Sequence, residues 1–118
     1  MGSRSATELL QLPVQLHGIR LGRPVDLLLD PIEWRALGFV VRCRDESIRF
    51  LAFAAADVRE DAIEVVTALL LLEDVEFYRE RSRSLRGLLG GELRDLLVAP
   101  DGSVEPLVAE QSERVPTA

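Results

Sequence analysis

Apolar positions in residues 1–66 come in short runs broken by turn residues. Leu9 to Leu16 is an apolar run interrupted by Pro13, which suits an edge or first strand because proline cannot donate to a ladder. His17-Gly18 and then Leu21-Gly22 read as turns. Val25 to Leu29 predicts the next strand, closed by Asp30-Pro31, where the residue before proline is held away from helix. Leu37 to Val41 is almost wholly apolar around Gly38 and suits a strand buried on both faces, and Arg42 to Ser47 follows as a charged turn. Ile48, Phe50 and Ala52 alternate with Arg49 and Leu51, so one face points inward. After the small residues Ala52 to Ala56 and a polar turn at Arg59-Glu60-Asp61, Ile63 and Val65 make one more alternating strand. Five or six short strands at turn spacings of about 8 to 12 residues predict a small β-barrel or compact sandwich.

The pattern changes beyond Val66. Glu73 to Arg83 is rich in helix formers, with Val75, Tyr78 and Arg79 at i, i+3 and i+4, which predicts a short linker helix acting as a connector. Glu76 with Arg79 and Glu80 with Arg83 make opposite-charge i, i+3 pairs on it.

The sequence then repeats. Val25-Asp26-Leu27-Leu28-Leu29-Asp30-Pro31 is echoed by Arg94-Asp95-Leu96-Leu97-Val98-Ala99-Pro100, Gly38-Phe39-Val40-Val41 less closely by Pro106-Leu107-Val108-Ala109, and Leu9-Leu10 by Leu88-Leu89. A repeated strand–turn–strand unit implies duplication. Ten residues, Leu16 to Val25, separate Gln15 from Asp26, whereas their counterparts Arg94 and Asp95 are adjacent, so the second copy lacks the first hairpin. A lone two-stranded hairpin is marginal in water. Leu96, Val98, Leu107 and Val108 therefore need cover from the first copy or from another chain, and an open strand edge invites a homodimer with these four at the interface.

Composition narrows the chemistry. The 118 residues carry 14 basic and 20 acidic side chains, a net charge of −6. All 14 basic residues are arginine, a bias that a GC-rich genome produces. Residues 1–60 hold 8 arginines and 8 acids, residues 61–118 hold 6 arginines and 12 acids, so the acidity belongs to the second half. An acidic chain with few aromatics has no general attraction to phosphate, and direct nucleic-acid binding is not expected. One cysteine and one histidine cannot build a structural zinc site, which takes about four nitrogen or sulfur ligands. No metal, cofactor or catalytic residue is expected. The apolar stretch Ile63 to Leu72 is far short of the roughly 18 to 20 residues that span a bilayer, Ala6 replaces the Ser or Thr of a myristoylation motif, and a cytoplasmic protein without membrane insertion is expected.

Leu10-x-Leu12-Pro13-Val14, then Gly22-Arg23-Pro24-Val25-Asp26-Leu27-Leu28-Leu29-Asp30-Pro31, then Leu37-Gly38-Phe39-Val40-Val41 resemble the PRC-barrel domain. Phe77 to Leu85 also looks like the connector of two-repeat bacterial members. The resemblance implies a mainly β protein: a small, bent antiparallel barrel of about six strands over residues 6–66, a linker with a short helix over 67–83, a truncated second repeat over 84–110, and a disordered tail over 111–118. It further implies a docking module for proteins or assemblies, since the family includes the cytoplasmic domain of the photosynthetic reaction centre H subunit and the C-terminal domain of a ribosome maturation factor, and no catalytic residues characterise it. Neither the membrane segment of the former nor the partner domain of the latter is expected here, so neither specialised role is implied.

The individual side chains fit that reading. His17 stands in a turn, and Cys43 lies between Arg42 and Arg44 with no second His, Asn or Cys to complete a nucleophilic arrangement. Asp26 and Asp30 are about 13 Å apart along a strand and cannot form a dyad. Arg79, Arg81, Arg83 and Arg86 either contact an acidic partner, a phosphate or an anionic head group, or pair in cis with Glu76 and Glu80. Trp34, in the loop between two strands, is either a lid on the end of the barrel or an exposed interface anchor. The expected function is non-enzymatic docking to an unidentified protein, with a ribosome or RNA-particle assembly factor as the alternative.

Overall fold

Residues 2–89, 91 and 93–108 are described by the computed structural model, and they are mainly β. The expected tail lies outside the described residues.

The chain opens with two residues of strand, β1 (Arg4–Ser5), and one turn of helix, α1 (Ala6–Leu9). The expected strand from Leu9 to Leu16 is thus shortened to β2 (Val14–Leu16). Ser5 explains the difference, because its hydroxyl caps the turn by accepting a hydrogen bond from the Glu8 amide. His17-Gly18, with φ of 50° and 80°, is a two-residue hairpin loop into the long strand β3 (Ile19–Leu29). Gly22, expected in a turn, lies within β3. A Cβ there would run into the carbonyl oxygen of Arg42 and the Cα of Cys43, so glycine serves close strand approach.

β4 (Ala36–Cys43) and β5 (Ile48–Ala52) continue the meander, followed by β6 (Asp57–Val58), β7 (Ile63–Glu64) and β8 (Leu71–Leu72). The hydrogen-bonded path runs β6-β7-β2-β3-β4-β5-β8 and is open, with β2 and β7 parallel. β9 (Arg83–Ser84) adds to β3 off this path, after the linker helix α2 (Val75–Arg79) and before α3 (Leu85–Leu88). A second sheet, in the order β1-β10-β11, holds β10 (Leu93–Val98) and β11 (Val104–Val108). No helix among the described residues is long and apolar enough to cross a membrane.

The central strands are buried on both faces, as the apolar run Leu37 to Val41 predicts. Leu27, Leu29, Phe39, Val41 and Leu51 enter the main core with Leu88, Leu96 and Val98 of the second copy. Leu28, Val40 and Phe50 face the other way into a smaller cluster closed by Val75 of α2. Tyr78 stacks on Phe50 with ring centroids 3.9 Å apart and planes 7° from parallel. The helix expected to be a mere connector therefore covers one face of the sheet.

The two expected copies are tied to each other by matching contacts, each contributing a short segment to the other's hairpin. β1 and α1, from the first copy, dock on β10 of the second, with Arg4 opposite Val98 and Ser5 opposite Leu97. β9 and α3, from the second copy, dock on β3 of the first, with Arg83 opposite Leu29 and Ser84 opposite Leu28. Asp95 accepts from Ser5 Oγ at 2.5 Å, the Thr7 amide at 3.2 Å and the Leu96 amide at 2.7 Å. Asp26 accepts from Ser84 Oγ at 2.5 Å, the Arg86 amide at 3.1 Å and the Leu27 amide at 2.9 Å. The two aspartates thus make matching bonds, each to a serine hydroxyl, to the amide two residues beyond that serine and to the amide of the next residue in its own strand. Cover for Leu96 and Val98, which are 0% and 2% exposed, comes from inside the chain, and this removes the sequence-based reason for placing them at a dimer interface.

Candidate docking surface

The residues singled out in the sequence do not converge. Trp34 has a left-handed backbone, φ 55°, and packs half-buried against the main core, while its neighbour Ile32 is exposed. The loop that holds it is built by Asp30, whose carboxylate accepts from the amides of Ile32 at 2.8 Å and Glu33 at 3.0 Å. Those two amides, Glu33 foremost, hold the Asp30 carboxyl below its ordinary pKa.

Three of the four arginines of the linker have side-chain partners within the chain. Arg79 pairs with Glu76 at 3.1 Å, and Arg81 lies 3.8 Å from the centre of the Phe77 ring and donates to the Phe77 carbonyl. Arg86 donates from its guanidinium to the Val25 carbonyl, and the exposed Arg83 takes part in the β9–β3 pairing. They form no common surface. Leu107 lies half-buried in β11, and Val108 contributes its backbone opposite Leu93.

A different set of arginines does converge. Register places Arg23 of β3 directly opposite Arg42 of β4, and Gly22 opposite Cys43. Arg20, three residues before Arg23, and Arg44, just past the end of β4, complete four exposed guanidinium side chains around one open, shallow depression floored by Gly22, Val25 and Cys43. Among the described residues none of the four is ion-paired, whereas Arg49, Arg59, Arg79 and Arg81 all are. Like charges directly opposite in an antiparallel pair are destabilising. This arrangement holds them so in a chain of net charge −6.

The depression runs on into an apolar strip. Arg20, Cys43 and Arg44 also border a second shallow groove with Ile19, Leu69 and Leu71. Ile19 is 62% exposed and Leu69 is 84% exposed, on a turn capped by Thr67. Guanidinium groups beside exposed aliphatic side chains are the composition of a protein interface, where arginine is enriched and bulk hydrophobicity is not needed. Cys43 packs half-buried beneath them and is part of the floor.

From the sequence Arg42 and Arg44 read only as flanks of Cys43 at the start of a charged turn, whereas Arg42 lies inside β4. The available signal was the spacing Arg20-x-x-Arg23 facing Arg42-x-Arg44 across a hairpin, which becomes a cluster only once the register is known. No family model, curated protein or solved structure matches the chain.

Proposed function

We propose that this protein is a non-enzymatic, cytoplasmic docking module, a degenerate two-copy relative of the PRC-barrel, and that it binds a protein partner through the arginine-lined depression and the apolar strip beside it. The sequence likeness over Leu10 to Val41 and the mainly antiparallel β architecture support the family assignment. One observation carries the docking reading: four arginines with no ion pair among the described residues are held together, two of them in direct cross-strand register, beside exposed Ile19 and Leu69. Such a repulsive arrangement costs stability and is relieved when a partner covers it. An assembly factor that contacts RNA directly is disfavoured by the net charge of −6 and by the absence of an aromatic side chain lining the depression.

The test is affinity capture from the native host with wild type and Arg23→Glu/Arg42→Glu in parallel. A specific protein retained by the wild type and lost by the variant is the expected result. Capture of no specific protein by the abundant wild type refutes docking.

A further inference from the structure

We infer that the occupant of the depression is an acidic protein segment with an aliphatic anchor, its carboxylates lying across Arg23 and Arg42 and its anchor between Ile19 and Leu69. This rests on the docking reading and adds the chemistry of the partner.

The charge argument comes first. Arg20, Arg23, Arg42 and Arg44 present planar donor forks with no acceptor of their own among the described residues, and a carboxylate matches that fork in bidentate fashion. The strip supplies the second criterion. Ile19 and Leu69 stand exposed beside Arg20 and Arg44, within reach of an aliphatic side chain on a segment already held by its acids.

Other polyanions fit less well. Single-stranded nucleic acid binds by backbone charge together with aromatic stacking, and neither groove is lined by an aromatic ring. An anionic membrane is flat, and the exposed Asp45 and Glu46 of the adjoining turn would be pressed against it beside Arg44. A peptide keeps its carboxylates in the first depression, which Asp45 does not line, and brings only its uncharged anchor into the second groove, where Asp45 lies. Asp45 is moreover held ionised by its bonds from the Ser47 hydroxyl and amide, so protonation does not relieve that repulsion near neutral pH.

The experiment measures fluorescence anisotropy of a labelled peptide built from Asp, Glu and two leucines, with its Asn/Gln counterpart, a single-stranded oligonucleotide and phosphatidylserine vesicles as competing probes. Wild type is expected to bind the acidic peptide, with affinity falling as salt rises from about 50 mM to about 300 mM. Arg23→Gln/Arg42→Gln should weaken it roughly tenfold or more, and Arg79→Gln, whose arginine is already paired with Glu76, should leave it unchanged. Equal binding of the Asn/Gln peptide, tighter binding of the oligonucleotide or vesicles, or an unaffected double variant overturns the inference. Circular dichroism of the double variant verifies its fold. If the host protein captured by wild type is also retained by the double variant, the acidic-segment assignment fails while docking stands. If wild type captures no host protein and binds no acidic peptide, both fail.

Discussion

Replacing Asp95 by alanine should cost this protein about 2 to 3 kcal/mol of folding stability, because that carboxylate ties the first copy's opening segment to the second copy's hairpin. Its two oxygens accept from Ser5 Oγ, the Thr7 amide and Thr7 Oγ1 across the copies, and from the Leu96 amide within its own strand. A bond to a charged acceptor contributes more than the ordinary 1 kcal/mol or so, but the site is half-buried and water replaces part of what is lost, which limits the sum. For a chain of this length such a loss lowers Tm by roughly 8 to 12 °C. The dependence on pH has a definite sign. Burial desolvates Asp95 and pushes its pKa up, yet the bonds from Ser5, Leu96 and Thr7 together outweigh that, and the carboxyl titrates below its ordinary value. Its contribution is therefore fully present above the ordinary carboxyl pKa of about 3.9 and is lost as pH falls through the lower, folded-state value. Urea titrations of wild type and Asp95→Ala between about pH 7 and pH 2 should draw closer toward the acid end, by the part of the difference that the lowered pKa carries. A difference below about 0.5 kcal/mol at pH 7, or one that does not shrink in acid, would refute the tie.

The twin bond should behave in kind, with Ser84→Ala losing both the cap on the Gly87 amide and the donor to Asp26, at a cost of about 1 to 2 kcal/mol by urea titration. Arg23→Gln should leave stability unchanged or raise it by about 0.2 to 1 kcal/mol by removing one of two facing like charges; a drop would mean the arginine has a structural partner. Gly22→Ala should destabilise by about 1 to 3 kcal/mol, since the new methyl meets the β4 backbone, and hydrogen exchange should show opening of the β3–β4 pairing around Cys43. Light scattering at micromolar concentrations should return a monomeric mass, because Leu96 and Val98 are already covered in cis and β11, the edge of its sheet among the described residues, carries Pro106 and the exposed Glu105; a dimer would mean that this edge pairs despite them.

Much of the fold is legible in periodicity, because burial on one or both faces writes itself into consecutive apolar residues. Leu37 to Val41 reads as doubly buried and is, and Asp26 and Asp95, which read as a repeated position, make matching bonds to a serine. Leu9 to Leu16 misleads because the same apolar residues serve a capped helical turn, and only the serine at its start tells the two apart. What escapes the sequence is whatever depends on partners distant along the chain. Nothing local says that Arg4-Ser5 should sit on β10 and Arg83-Ser84 on β3, rather than each on its own copy.

The least legible feature is a single displaced residue, and it governs both the tie and the arginine cluster. In β3 the ladder shifts between Pro24 and Asp26, leaving Val25 as a bulge; in β10 it shifts between Leu93 and Asp95, leaving Arg94 in the corresponding place. A bulge adds local twist and re-aims the side chains beside it, and here each one immediately precedes the aspartate that reaches the other copy's serine. In β3 it has a second consequence. Beyond the bulge Arg23 pairs with Arg42, whereas continuing the register of Asp26 with Val40 without interruption would set Arg23 against Cys43 and Arg42 against Pro24. Proline suits such a place because it has no amide hydrogen to lose from the ladder. A bulge at the same place in each hairpin thus ties the two together through its aspartate and, in β3, also brings like charges face to face on the proposed docking surface.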